Sequence, residues 1–153
     1  MRRALALIAA LALAACVPPD PTAAPGPMRT MRGNLVLPDP SDPGRFEVFA
    51  RAGDSGADLW CAASEFAERE LRVPVNRRIY VVTPRGSSAA RPGARSVVFT
   101  VAPDAALLAA AEALPMGLTM DVGRPGRNFL PVHGRTACRP LFERRFGPGF
   151  TVP

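Results

Sequence analysis

Proline limits this chain more than any other residue type. Of its 18 prolines, eight fall between positions 17 and 44: Pro18, Pro19, Pro21, Pro25, Pro27, Pro38, Pro40 and Pro43. Each fixes φ and removes a backbone donor, so so dense a run suits neither a helix nor a central strand. The spacing predicts an extended, semi-rigid tether over residues 16–44. Its one apolar patch, Asn34-Leu35-Val36-Leu37, is a candidate short strand at the edge of the fold that follows. Past residue 45, Pro74, Pro84, Pro103 and Pro115 cut the chain into short segments. That punctuation excludes long helices and leaves a small domain built from short elements.

Within those segments the periodicities differ. Phe46–Arg51, Arg78–Thr83 and Ser96–Val101 are rich in β-branched and aromatic residues and read as strands. The latter two are expected to pair as an antiparallel hairpin, with a loop over 84–95. Ser55-Gly56-Ala57-Asp58 has the spacing of a helix-start box. A helix follows from about Ala57 to Leu71, with Leu59, Trp60, Ala63, Phe66, Ala67 and Leu71 on one face. Glu65, Glu68, Arg69 and Arg72 make its opposite, solvated face, and Cys61 sits at that face's edge. Asp104 is placed to cap a second helix, Ala105–Leu114. Leu118–Val122 and Asn128–Val132 read as a second hairpin around Gly123–Gly126, and the tail from Arg139 carries enough large apolar residues to pack down. The fold class these elements imply is α+β: one small domain over residues 45–153, with an antiparallel sheet of four to five strands and one or two helices on a face.

The amino-terminal residues carry a separate signal. Arg2-Arg3 precede an apolar run from Ala4 to Ala15 and then Cys16. About 12 apolar residues are too few to span a bilayer, which takes about 20. A charged start, a short apolar middle and small residues before a cut site describe an export signal. Leu13-Ala14-Ala15-Cys16 resembles the bacterial lipobox. The resemblance covers residues 1–16 alone. It implies a signal peptide over 1–15, cleavage before Cys16, and a diacylglycerol with a further acyl chain such as palmitate there. At ~0.8 kcal/mol per buried methylene, two or more chains make a stable membrane anchor. Val17 after the cysteine resembles the outer-membrane sorting pattern rather than the inner-membrane one, in which Asp follows the cysteine. The expected location is the cell envelope, facing the periplasm.

That location frames the remaining residues. Removing Cys16 from the three cysteines leaves Cys61 and Cys138, an even pair in an oxidising compartment, which reads as one disulfide. A thiol role for Cys61 is the rival reading. All 19 basic residues are arginine; the formal charge is +6, and losing Arg2 and Arg3 leaves +4. A mild positive charge favours anionic envelope surfaces such as lipid headgroups. Nucleic acid is not an expected partner, because no basic run is interleaved with aromatics. Two Arg-Gly-Pro loops are the candidate anion-binding elements, Arg85, Arg91 and Arg95 in one and Arg124 and Arg127 in the other. His133 is the single histidine and has no neighbour at metal-ligand spacing, so neither metal, cofactor nor catalytic residue is assigned. The leading function is a non-enzymatic envelope module that contacts a protein partner or an anionic component. The alternative is a small hydrolase that uses His133 with Asp121 or Asp58.

Overall fold

Alternation along three strands builds the core. In a computed structural model that describes residues 24–115, 117 and 119–138, β1 (Met28–Arg29), β2 (Leu35–Asp39), β3 (Asp42–Phe49), β4 (Ile79–Ser87), β5 (Arg95–Thr100) and β6 (Asn128–Phe129) form one antiparallel sheet. The helices are α1 (Gly56–Arg69), α2 (Ala105–Glu112) and α3 (Pro131–Thr136). The strand order is β1-β2-β3-β5-β4-β6. Pairing sets Val36 beside Val48 and Val48 beside Val97; one row further on, Phe46, Phe99 and Val81 line up. Side chains two apart on a strand share a face, so these residues make one apolar surface. All six are buried. The chain is thus a small α+β domain, with six strands where four to five were expected.

Helix α1 covers that surface. The Ser55 side chain accepts the Asp58 N–H and the Asp58 carboxylate accepts the Ser55 N–H, the reciprocal cap expected at this spacing. Leu59, Trp60, Ala63, Phe66 and Ala67 are fully buried. Phe66 meets Phe46 at 4.8 Å between ring centroids, and Trp60 meets Phe99 and Phe129 edge-on, each at 5.0 Å. Each large buried side chain contributes roughly 1.5–3 kcal/mol. Asp104 caps α2 by accepting the Leu107 N–H at 2.7 Å.

Four expectations are corrected. The domain begins before residue 45: β1 and β2 lie inside the expected tether, where Met28 and Val36 reach the core. Their burial outweighs the local proline content. Pro38 sits at a register shift, beyond the last β1 pair, where a strand tolerates a missing donor. The second hairpin does not form. Instead β6 pairs with β4, Ile79 beside Phe129, and Pro131 starts α3 at a first-turn position that proline favours. His133, which next to Gly134 and just past the expected strand Asn128–Val132 would sit in a loop, therefore lies on a helix. Finally, Glu65 is not solvated, although Glu68, Arg69 and Arg72 on the same face are exposed as expected. Glu65 is 1% exposed; both carboxylate oxygens accept the Met31 N–H at 3.1 Å, and Arg69 donates at 2.8 Å. The β1–β2 turn and α3 cover the part of that face around Glu65. The tail from Arg139 and residues 1–23 lie outside the described residues.

Candidate functional site

A cavity of about 530 Å³ opens between β6, α2 and α3, within the roughly 300–1,000 Å³ of ligand pockets. Three local devices build it. Gly126 has φ +81° and lies so close to α2 that a Cβ would fall 2.6 Å from the Ala111 nitrogen. Only glycine fits there, and this contact brings the Gly123–Gly126 turn against α2. The Gly126 N–H donates to the Val81 carbonyl, and the Val81 N–H donates to the Arg127 carbonyl at 2.8 Å. Arg127 is thereby fixed between the sheet edge and α2. The β6–β4 pairing brings Asn128 beside Tyr80, and Arg78 Nη1 donates to Asn128 Oδ1 at 2.7 Å. Helix α3 then brings the His133 ring to 6.4 Å from the Phe129 ring.

Helix α3 is held from behind. Gly134 is buried against α1, and Cys61 and Cys138 meet as a disulfide with their Cα atoms 5.0 Å apart. Cys61 is fully buried. The expected bond across the outside of α1 is therefore present in the geometry, and it pins the segment that presents His133.

The cavity is cationic and apolar. Arg78, Arg127 and His133 line it; among the described residues no Asp or Glu does. Phe129, Leu114, Met120 and Ala111 make the apolar wall. Arg127 donates weakly to the Pro115 carbonyl at 3.4 Å, and its Nε is buried with no acceptor among the described residues. A buried donor left unmade costs about 1–3 kcal/mol, more when charged. An anion that supplies an acceptor there recovers that cost. Two guanidinium groups at one cavity suit a carboxylate or phosphate.

The five arginines expected to act together are not gathered. The Arg91 guanidinium lies over the Phe49 ring at 5.6 Å, beyond the far end of β4. Arg127 abuts Val81 near its start. Seven residues of strand, about 23 Å, separate Val81 from Ser88 at the hairpin tip. Arg95 and Arg124 are exposed. Arg85 is half-buried, with Nε and Nη2 lacking acceptors among the described residues. Of the five, Arg127 alone lines the cavity, and its companion Arg78 was missed. The adjacent Arg77-Arg78 just before a strand was the available signal. Cys16 lies outside the described residues. No hydrogen bond joins His133 to an aspartate: Asp121 Oδ1 accepts the Gly123 N–H, and Asp58 engages Ser55 and Arg32. Among the described residues no three His, Cys, Asp or Glu side chains gather as a metal site, and no helix is long and apolar enough to cross a membrane.

Fold and site together define a small disulfide-bonded α+β domain with an arginine-lined cavity at one sheet edge. No protein-family model, curated protein or solved structure matches the chain.

Proposed function

We propose that the chain is a lipid-anchored envelope protein, tethered through Cys16 to the periplasmic side of a membrane, with the outer membrane favoured by Val17. Its domain acts as a non-enzymatic module that binds an anionic envelope component. The observation that carries the reading is the Arg127 guanidinium, half-buried in a cavity lined by Arg78 and His133 and, among the described residues, by no carboxylate. A concave cationic site suits a small anionic group better than the flat face of a protein partner. The hydrolase alternative draws no support here, since a general base needs a positioned partner and neither Asp121 nor Asp58 bonds His133.

Two measurements test the proposal. Intact mass of the natively expressed, detergent-extracted protein reads the anchor: a chain that starts at an acylated Cys16 is expected, and an unlipidated mass overturns the anchored location. Titration with inorganic phosphate, followed by amide NMR, reads the site. Saturable shifts confined to residues 126–134 and neighbouring α2, lost in Arg127→Ala, are expected. Absence of shifts in the wild-type chain refutes the anion-binding reading.

A further inference from the structure

We infer that the ligand of this cavity is an amphiphilic anion: one carboxylate or phosphate held by Arg78 and Arg127, and a hydrocarbon chain laid along the wall formed by Phe129, Leu114 and α2. The inference rests on the anion-binding reading above and goes beyond it by naming the other half of the ligand.

Charged and apolar side chains share the cavity. Arg78, Arg127 and His133 come from the sheet edge and α3, Phe129 from β6, and Ala111 and Leu114 from α2 and the residues just after it. Helix α2 is unusual. Its eight residues, AALLAAAE, hold seven apolar side chains and not one buried residue. A helix that is apolar all round is ordinarily a buried one. Here Leu108 is 41% exposed, and Ala105, Ala106 and Ala109 are exposed too. A chain that leaves the guanidinium pair therefore meets the cavity's apolar lining and the exposed apolar surface of α2 beyond it. Asp104 and Glu112 are the acidic residues at the two ends of α2, and neither lines the cavity. The chemistry excludes a purely polar anion as the best fit, because such a ligand would leave the apolar wall wet. It excludes a neutral hydrocarbon, because that would desolvate Arg127 and supply no acceptor.

The test uses the mature chain from residue 16, exported behind an ordinary cleavable signal and carrying Cys16→Ser, so that neither an acyl chain nor the apolar run over 4–15 competes for the cavity. Calorimetric titration compares hexanoate, octanoate, decanoate, decanol and inorganic phosphate. A fully buried methylene tightens binding about four-fold. With a cavity that opens to solvent, decanoate is expected to bind at least about ten-fold more tightly than hexanoate, and decanol more weakly than decanoate. Arg127→Ala should weaken decanoate about ten-fold or more. Leu114→Ser, which removes wall and no charge, should weaken decanoate by a larger factor than it weakens phosphate, with an unchanged circular dichroism spectrum. Sedimentation with phosphatidylglycerol vesicles that decanoate abolishes supports the inference with a bilayer lipid as source. Decanoate binding without sedimentation supports it with a free amphiphile as source. Equal affinity for hexanoate, decanoate and phosphate overturns the inference and leaves the anion site standing. Binding of neither decanoate nor phosphate removes both.

Discussion

Replacing Gly134 by alanine sets two effects of opposite sign against each other. In a helix interior, alanine is favoured over glycine by about 0.8–1.0 kcal/mol. If α3 merely rested near α1, the variant would be the more stable protein. The packing says otherwise. A Cβ at position 134 would lie 2.7 Å from the Trp60 carbonyl oxygen and 3.0 Å from Ser64 Cβ, with the Ser64 hydroxyl oxygen closer still. The hydroxyl can rotate away, but the Trp60 carbonyl belongs to the backbone of the most buried helix in the domain and cannot. Helix α3 must then retreat by a few tenths of an ångström, against the disulfide that holds Cys138 to α1. Overpacking of this kind costs about 1–3 kcal/mol. The net expectation for Gly134→Ala is a loss of up to about 2 kcal/mol, or up to roughly 8 °C in Tm at about 4 °C per kcal/mol for a domain of this size. Thermal and guanidinium unfolding of the oxidised protein, followed by far-ultraviolet circular dichroism, reads it. Ser64→Ala is the control. The Ser64 hydroxyl is buried with no partner among the described residues, so removing it should be near neutral or mildly stabilising. The double variant should recover part of the loss and not all, since the Trp60 carbonyl remains. A Tm raised in Gly134→Ala by the roughly 3–4 °C that helix propensity alone would give, about 0.8–1.0 kcal/mol, would refute the close α1–α3 packing, and with it the account of how His133 reaches the cavity.

Three further outcomes follow from the same contacts. Changing Cys61 and Cys138 together to serine opens a loop that spans 77 positions; the chain-entropy model gives up to about 4.5 kcal/mol, seen as a lower denaturation midpoint that reduction of the wild type should reproduce. Glu65→Ala strands the Met31 N–H and leaves Arg69, itself exposed, without its partner, and should cost roughly 1–3 kcal/mol, with Glu65→Gln costing less; a loss below about 0.5 kcal/mol would show that the carboxylate is not the tie between the β1–β2 turn and α1. The Ser41 hydroxyl, and after it the Ser41 backbone N–H, hold the Asp39 carboxyl below the usual aspartate range. A carboxyl depressed in the folded state stabilises it above the unfolded pKa, and that contribution disappears as pH falls through the folded one. Ser41→Ala should raise the Asp39 pKa toward the ordinary value in an NMR titration, and an unmoved pKa would assign the effect to the backbone alone.

Local signals read correctly where local physics decides. The start of α1 follows from Ser55 and Asp58, three residues apart, and its buried stripe follows from a 3.6-residue period that needs no partner to be recognised. Strands β3, β4 and β5 follow from alternation, and the β4–β5 pairing from their adjacency in sequence, although β4 runs on to Ser87 and takes in the first part of the loop expected over 84–95. The failures share one cause, which is burial supplied from far along the chain. Residues 28–39 look like tether because proline dominates them, yet Met28 and Val36 are drawn into a core whose other members lie beyond residue 45. Glu65 looks solvated on a helical wheel because the wheel cannot include a turn 34 residues upstream or a helix tied down by a disulfide.

The cavity was illegible for the same reason, made sharper by composition. With arginine the sole basic residue type, charge alone cannot separate an arginine that holds the fold from one that faces a ligand. Arg124 and Arg127 sit in a single turn and look alike in sequence, and Arg78 lies 49 residues before Arg127. The fold makes the distinction through its carboxylates. Arg32 meets Asp58 at 2.7 Å and Arg135 meets Glu68 at 3.4 Å, each joining two parts of the scaffold, and Arg69 meets Glu65 at 2.8 Å within α1. Arg127 is half-buried and has no such partner among the described residues. A desolvated guanidinium is expensive to leave without an anion. The domain supplies acidic partners where arginines join its scaffold and none where Arg127 and Arg78 face an apolar wall, so the missing negative charge is the part of the site that a ligand brings.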